Sequence, residues 1–417
     1  MTKALQLARA LVPELSPSLH KGQAGRLGVV GGSKDYTGAP FFSAMAAMRI
    51  GVDLAHIICE PKAGDVIKTY APDLIVHRVL DQNAPIEEIH QSVDDVVSRL
   101  HVLVVGPGLG RDDHMQACAG AAISIAKKRD IGLVIDADGL WFVNNNIDAI
   151  KGYKKAILTP NVMEMKRLCE KLSINPDEVK EEDIASKVSE LLGGVTVLEK
   201  GGVDRITNGS KTLTVDASGS LKRCGGQGDI LSGAAGTLLA WGSVYAKGIG
   251  SDKDIKVPHE DIPLYAAYGA STFTRECSRL TFEEKGRSMI TQDMLKNLIQ
   301  AGSFIEYATF SNNYYDIDAQ GVKIIKDKHQ NLQPTFVFLS PPSIDSLARR
   351  LVKRGSETEE SLRSRLDAAK GEMEYAQTGA FDYVIVNDDI EQAYEKLRKV
   401  ALGEGTESDI LPDNRIA

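Results

Sequence analysis

Residues 223–233 read RCGGQGDILSG, with glycines at 225, 226 and 228 around Gln227, an acid at Asp229, and then an apolar run. Glycine loses more backbone entropy on folding than any other residue, so such a cluster weakens the chain unless a bare backbone is needed there. The following stretch, DILSGAAGTLLAW over 229–241, reads as an apolar helix and puts the glycines at its amino terminus. There the free N–H groups and the helix dipole favour an anion, and a backbone without side chains can approach a phosphate closely. Asp229 falls in the first turn, where the same positive potential is expected to lower its pKa and keep it ionised as a base. The plainer reading of an acid in a first turn is added helix stability of about 0.3–1 kcal/mol.

Working outward, short runs rich in valine and isoleucine recur at 27–31 (LGVVG), 54–58 (LAHII), 101–105 (HVLVV), 132–135 (GLVI) and 195–198 (VTVL). They lack the apolar–polar alternation of a half-exposed sheet, which predicts parallel strands covered on both faces. Helices are predicted between them at 38–49, 113–128 and 181–192. The layout is that of a doubly wound α/β fold, whose ligands sit at the carboxyl ends of the strands.

Those strand ends carry the candidate chemistry. GPGLGR at 106–111 misses the G-x-G-x-x-G spacing and has no acid placed to grip a ribose, which disfavours a dinucleotide-binding dehydrogenase. LVIDADGL puts Asp136 and Asp138 at a strand end, as a helix N-cap or as a metal or water contact. ILTPNVMEMKRL offers Asn161, Glu164 and Arg167 on the opening of a helix, with Asn161 a natural N-cap. LEKGGVDRITNG supplies Lys200, a candidate ligand or a solvated surface lysine, before a hairpin with an Asn208–Gly209 turn.

Composition bounds the function. A chain of 417 residues exceeds one usual hydrophobic core, so two domains are expected. Hydrophobic residues at 43% and charged residues at 25% fit a soluble globular chain. A net charge of −8 provides no footprint for a nucleic-acid backbone, although a local glycine nest can still bind phosphate. The five cysteines are odd in number and form no C-x-x-C pair, which excludes a disulfide framework or zinc ribbon and gives a cytoplasmic default. The amino terminus lacks the apolar core of a secretory signal, and no run approaches the ~20 apolar residues needed to span a bilayer. Homo-oligomerisation is left open.

Taken in order, KGQAGRLGVVGGSKDYTGAPFFSAMAAMRIG, GPGLGRDD, DADGL, LTPNVMEMKRL, EKGGVDRI and GSLKRCGGQGDILSG resemble the ATP-dependent NAD(P)H-hydrate dehydratases, enzymes of ribokinase-like fold. The resemblance covers about residues 1–298. It implies an enzyme that uses ATP to dehydrate the S form of hydrated NADH or NADPH, releasing ADP and phosphate, with Mg2+ bridging the ATP phosphates. It further implies that Gly108 and the stretch Asn161, Val162, Met163, Glu164, Met165, Lys166 and Arg167 bind the hydrate. ATP would be held by Lys200, Gly201, Gly202, Val203 and Asp204, together with Gly219, Ser220, Leu221, Lys222, Arg223, Cys224, Gly225, Gly226, Gln227 and Gly228. Asp229 would face the substrate. Met165 departs from the family's usual phenylalanine at nearly preserved volume. A ribokinase-type kinase of a small alcohol shares the G-x-G-D arrangement and is the alternative.

After residue 290 the composition changes, and a boundary is expected near residue 298. AGSFIEYATFSNNYY, TFVFLSPPS and the stretch from Arg349 to Asp389 resemble guanylate kinase over about residues 299–400. That resemblance implies GMP contacts from Glu306 and Tyr315 and phosphate contacts from Arg354 and Arg365. Ser356 and Glu359 read as a helix capping box. No G-x-x-x-x-G-K-[ST] occurs in the chain, and Tyr315 runs directly into Asp316 where the family has a Gly-Thr or Gly-Ser turn. Guanylate kinase activity is therefore expected to be absent, and a docking role is the alternative for this segment.

Overall fold

The apolar runs assemble side by side in a computed structural model that describes residues 2–13, 20–175, 178–249, 255–306, 335–354, 359–401 and 407–412. The strands are β1 (Arg26–Val30), β2 (Leu54–Ile58), β3 (Ile75–His77), β4 (Val102–Val105), β5 (Gly132–Ile135), β6 (Ala156–Leu158), β7 (Thr196–Glu199), β8 (Asp204–Thr207) and β9 (Thr212–Val215). They form one sheet in the order β3-β2-β1-β4-β5-β6-β7-β8-β9. Pairing is parallel from β3 through β7, and the β8–β9 hairpin closes one end antiparallel. Asn208 accepts the backbone N–H groups of Ser210 and Lys211 at 3.2 and 2.9 Å, which folds the hairpin loop back on itself.

Among the described residues the α-helices that accompany the sheet are α1 (Lys3–Arg9), α2 (Gly38–Ile50), α3 (Pro61–Ile67), α4 (Ile86–Val97), α5 (Asp113–Lys128), α6 (Ala137–Asn145), α7 (Val162–Lys171), α8 (Ile184–Leu191), α9 (Gln227–Tyr245), α10 (Ile262–Lys285) and α11 (Thr291–Glu306). Successive strand residues point to opposite faces, so Leu27 and Val29 of β1 join one core and Val30 the other. The first core is closed by α2, α9, α10 and α11, and the second by α4, α5, α7 and α8. Two covered faces explain why the central strands β4 and β5 are apolar and buried along their whole length. α9 is buried nearly all round from Ile230 to Gly242, in keeping with its apolar sequence. It carries its amino terminus to the carboxyl ends of β5, β6 and β7.

Contacts divide the chain into two compact units, residues 1–309 and 310–417. α11 runs through residue 298, where Leu298 is fully buried, so the change in composition falls inside a helix that packs against α2 and α10. In the second unit β10 (Val337–Ser340) pairs in parallel with β11 (Tyr383–Val386), alongside α12 (Ile344–Arg354), α13 (Glu359–Ala376) and α14 (Ile390–Ala401). Its core gathers Phe338, Met373 and Ala376. Tyr315 and Ser356 lie outside the described residues, as do the side chains of Glu306, Arg354 and Arg365. Among the described residues no helix is long and apolar enough to cross a membrane.

Candidate active site

The glycine cluster forms the turn into α9. Gly226 is the N-cap, with φ of +96°, and no side chain caps the helix. A Cβ there would stand 2.8 Å from Thr291 Oγ1, so both the left-handed backbone and the space demand glycine. Thr291 at the start of α11 donates its hydroxyl to the Gly225 carbonyl at 2.5 Å, which fixes the turn from outside. The first N–H groups of α9 are thereby left without an intrahelical acceptor.

Facing this turn are side chains from three successive strand ends. Asp136, directly after β5, is buried, and its carboxylate accepts from Thr159 Oγ1 at 2.7 Å and from Lys200 Nζ at 2.9 Å. It makes no side-chain cap to α6, so the N-cap reading of Asp136 gives way to an ion pair. Gly106, after β4, has φ of +127°, and a Cβ there would lie 1.8 Å from the Asp136 carbonyl oxygen. The turns after β4 and β5 are thus in backbone contact. Lys200 follows β7 and donates its N–H to the Pro160 carbonyl at 2.8 Å, so the end of β6 positions it. Its ammonium also lies 4.0 Å from Glu164, which completes a capping box with Asn161 at the start of α7. A Cβ on Gly228 would stand 3.7 Å from Lys200 Nζ and 3.9 Å from Asp136 Oδ2, which brings the ion pair up against the first turn of α9.

This geometry overturns two expectations. Lys200 is not a solvated lysine: its side chain is 21% exposed, and although burial opposes its charge, Asp136, Glu164 and Asp229 together hold its pKa above the ordinary value. Asp229 is not held ionised by the helix dipole. Burial, reinforced by the like charge of Asp136 and only partly offset by Lys200, pushes its pKa up to about 8. Burial also raises Glu164, with Lys200 pulling the other way. The cluster therefore has carboxylates in excess of its one ammonium, and a proton held on Asp229 relieves the imbalance. A carboxylate with a pKa near the working pH is suited to accepting a proton from a bound hydroxyl.

The remaining predicted residues fall into distinct settings. At the first residue of α9, Gln227 donates to Ser220 Oγ and to the Lys222 carbonyl, both at 3.2 Å, closing residues 220–227 into a ring. Lys222 gives its ammonium to the carbonyls of Arg287 and Met289, while Gly219 packs against Ser278. Leu221, Arg223 and Gly225 are exposed, and Cys224 is half-buried beside Thr291. In the loop after β7, Arg275 of α10 grips the Asp204 carboxylate at 2.6 and 2.9 Å and bonds the carbonyls of Gly201 and Gly202. Asp204 thus shapes the loop, leaving Val203 exposed. Gly108 is buried, its carbonyl accepting from Ser33 Oγ at 2.9 Å. On α7, Asn161, Val162, Met163 and Lys166 are exposed, whereas Met165 points into the core at 3% exposure. Arg167 lies over the Trp141 ring. Thr159, Arg275 and Thr291 were not singled out by the sequence, because each meets its partner across a long sequence separation.

Residues 27–300 match the family described as NAD(P)H-hydrate dehydratase, and residues 316–402 match guanylate kinase. The ATP-dependent (S)-NAD(P)H-hydrate dehydratase of Mycosarcoma maydis is 50% identical over 305 residues, covering 71% of this chain and 87% of that protein. The Homo sapiens protein of the same name is 44% identical over 296 residues, covering 71% and 82%. Among solved structures, a ribokinase-like superfamily protein of Enterococcus faecalis is similar at a TM-score of 0.58 and 19% identity, over 73% of this chain and 98% of that one. The Bacillus subtilis ADP/ATP-dependent NAD(P)H-hydrate dehydratase co-crystallised with ATP/Mg2+ gives 0.54 and 19%, over 72% and 97%. The chain therefore belongs to the NAD(P)H-hydrate dehydratase family, on a ribokinase-like α/β fold.

Proposed function

We propose that this chain is an ATP-dependent (S)-NAD(P)H-hydrate dehydratase in which Asp229 accepts the proton of the hydrate's hydroxyl. The observation that carries this reading is a half-buried carboxylate in the first turn of an uncapped helix amino terminus, beside the Asp136–Lys200 pair, with its pKa raised to about 8. Hydroxide is a poor leaving group. As its proton passes to Asp229, the hydroxyl oxygen attacks the γ-phosphorus of ATP, and the bond to the β-phosphate oxygen breaks to release ADP. The carbon–oxygen bond then breaks with loss of inorganic phosphate, the ring nitrogen supplies the electron pair, and loss of a ring proton restores NADH or NADPH. The N–H groups of the turn at Gly225–Gly228 are suited to the charge on the transferring phosphoryl group. Lys200, fixed between Asp136 and Glu164, keeps a positive charge beside the reacting groups.

Among the described residues no cluster of three or more acidic, histidine or cysteine side chains is arranged to hold a metal ion. Mg2+ would arrive on the ATP phosphates, since Mg2+ is commonly held by one or two carboxylates plus substrate oxygens, and it would neutralise phosphate charge during transfer. The cysteines are all free thiols, which supports a cytoplasmic location. The second unit is proposed to lack guanylate kinase activity because the phosphate-cradling loop is missing from the sequence.

The reading is tested by mixing the purified protein with hydrated NADH, ATP and Mg2+ and following the return of reduced-nicotinamide absorbance. Recovery that requires ATP supports it. Consumption of ATP only with a sugar or vitamin alcohol would replace it with a small-molecule kinase.

A further inference from the structure

The stretches expected to bind the hydrate, Gly108 and Asn161–Arg167, both lead to the same indole. Arg111, three residues beyond Gly108, stacks over Trp141 at 4.6 Å from the ring centroid, and Arg167 lies over it at 5.7 Å. Asp138 fixes Arg111 through Nε at 2.8 Å and accepts the Gly110 N–H at 3.0 Å, so the loop after β4 is pinned to the first turn of α6. Only Nε of Arg111 is used in that pair, and among the described residues no ion pair engages Arg167. Guanidinium N–H groups of two arginines therefore remain available beside one ring. On α7, Arg167 is one turn from Glu164 of the lysine cluster, and on α6, Trp141 is one turn from Asp138.

At the reacting centre Lys200 is already engaged by Asp136 and Glu164, so a dinucleotide's phosphates need cations further along its length. We propose that Arg111 and Arg167, held by Trp141, bind a phosphate of the dinucleotide, either the pyrophosphate bridge or the 2′-phosphate of the NADP form. The proposal rests on the dehydratase reading above. Planar guanidinium groups with free N–H edges match phosphate oxygens, and stacking on an aromatic face holds them in place without consuming those donors.

The test is the steady-state kinetics of Arg111→Gln in the full chain with hydrated NADH and hydrated NADPH. The KM for hydrate should rise about 10- to 100-fold, the size of one or two charge-assisted hydrogen bonds, with kcat and the KM for ATP unchanged. An equal rise for both hydrates assigns the pyrophosphate, and a rise for hydrated NADPH alone assigns the 2′-phosphate. Unchanged KM for both, or a raised KM for ATP instead, overturns the proposal. A readout independent of turnover is tryptophan emission titrated with NADP+: the wild type should show saturable quenching that Trp141→Phe, keeping only the buried Trp241, loses. Quenching that persists in Trp141→Phe also overturns it. Failure of the wild type to process any hydrate would instead defeat the dehydratase reading, while the titration still decides the phosphate site.

Discussion

Asp229 is a residue whose function and stability oppose each other. In the folded chain its pKa is about 8, against an ordinary value of 3.8, so the native state holds a proton that the unfolded chain releases. Between those values the unfolded state binds fewer protons than the native state, and stability falls as pH rises through the window to about 8. Asp229→Asn removes that penalty. Its thermal midpoint is expected to exceed the wild type's at about pH 9, with the gap closing near pH 4, as read by calorimetry of the ligand-free protein. The same substitution should lower turnover at least ~100-fold and leave ATP affinity nearly unchanged, because a general base acts on the proton and not on the triphosphate. A variant with full turnover would remove Asp229 from the mechanism. For the wild type, kcat/KM should rise with pH until about 8 and then level off, since only the ionised carboxylate can take the hydroxyl proton.

At the scale of elements, the helix start and the strand ends are coupled. Gly226→Ala forces a side chain into a left-handed backbone and against Thr291, so a loss of about 1–2 kcal/mol in urea unfolding is expected, with a raised KM for ATP. A stability unchanged by that substitution would show that the turn relaxes freely. Lys200→Met leaves Asp136 and Glu164 buried without their ammonium, a loss of about 3 kcal/mol at pH 8. Lowering the pH to about 5 should recover part of that loss, because Glu164, which burial already raises and Lys200 no longer offsets, then takes up a proton. Much at this scale was legible in the sequence: the start of α9, the N-cap of α7 and the β8–β9 turn each rest on residues a few positions apart. β3 was not legible, since Ile75–His77 is too short to give a pattern and becomes a strand only by pairing with β2.

For the whole molecule, the units at 1–309 and 310–417 separate the chemistry from the guanylate-kinase-like segment. A chain ending after residue 309 is expected to dehydrate hydrated NADH at the wild-type kcat, measured by nicotinamide absorbance. The full chain should form no GDP from GMP and ATP in a chromatographic assay. A detectable rate there would show that phosphate can be held without the glycine–lysine loop. Loss of hydrate turnover on truncation would place a needed contact beyond residue 309.

By itself the sequence determined the α/β class, the order of motifs along the strand ends and the position of the glycine turn at the start of α9. Periodicity, capping and glycine placement act over a few residues, so they can be read from a single chain. Only the tertiary structure decided the charge at the centre. Asp136, Lys200 and Asp229 come from widely separated segments, and their mutual distances and burial are set by packing α9 against the sheet. A helix dipole acting alone would have kept Asp229 ionised. In the folded chain, removal from water beside a second carboxylate raises its pKa, because desolvation and like-charge repulsion both penalise the charged form.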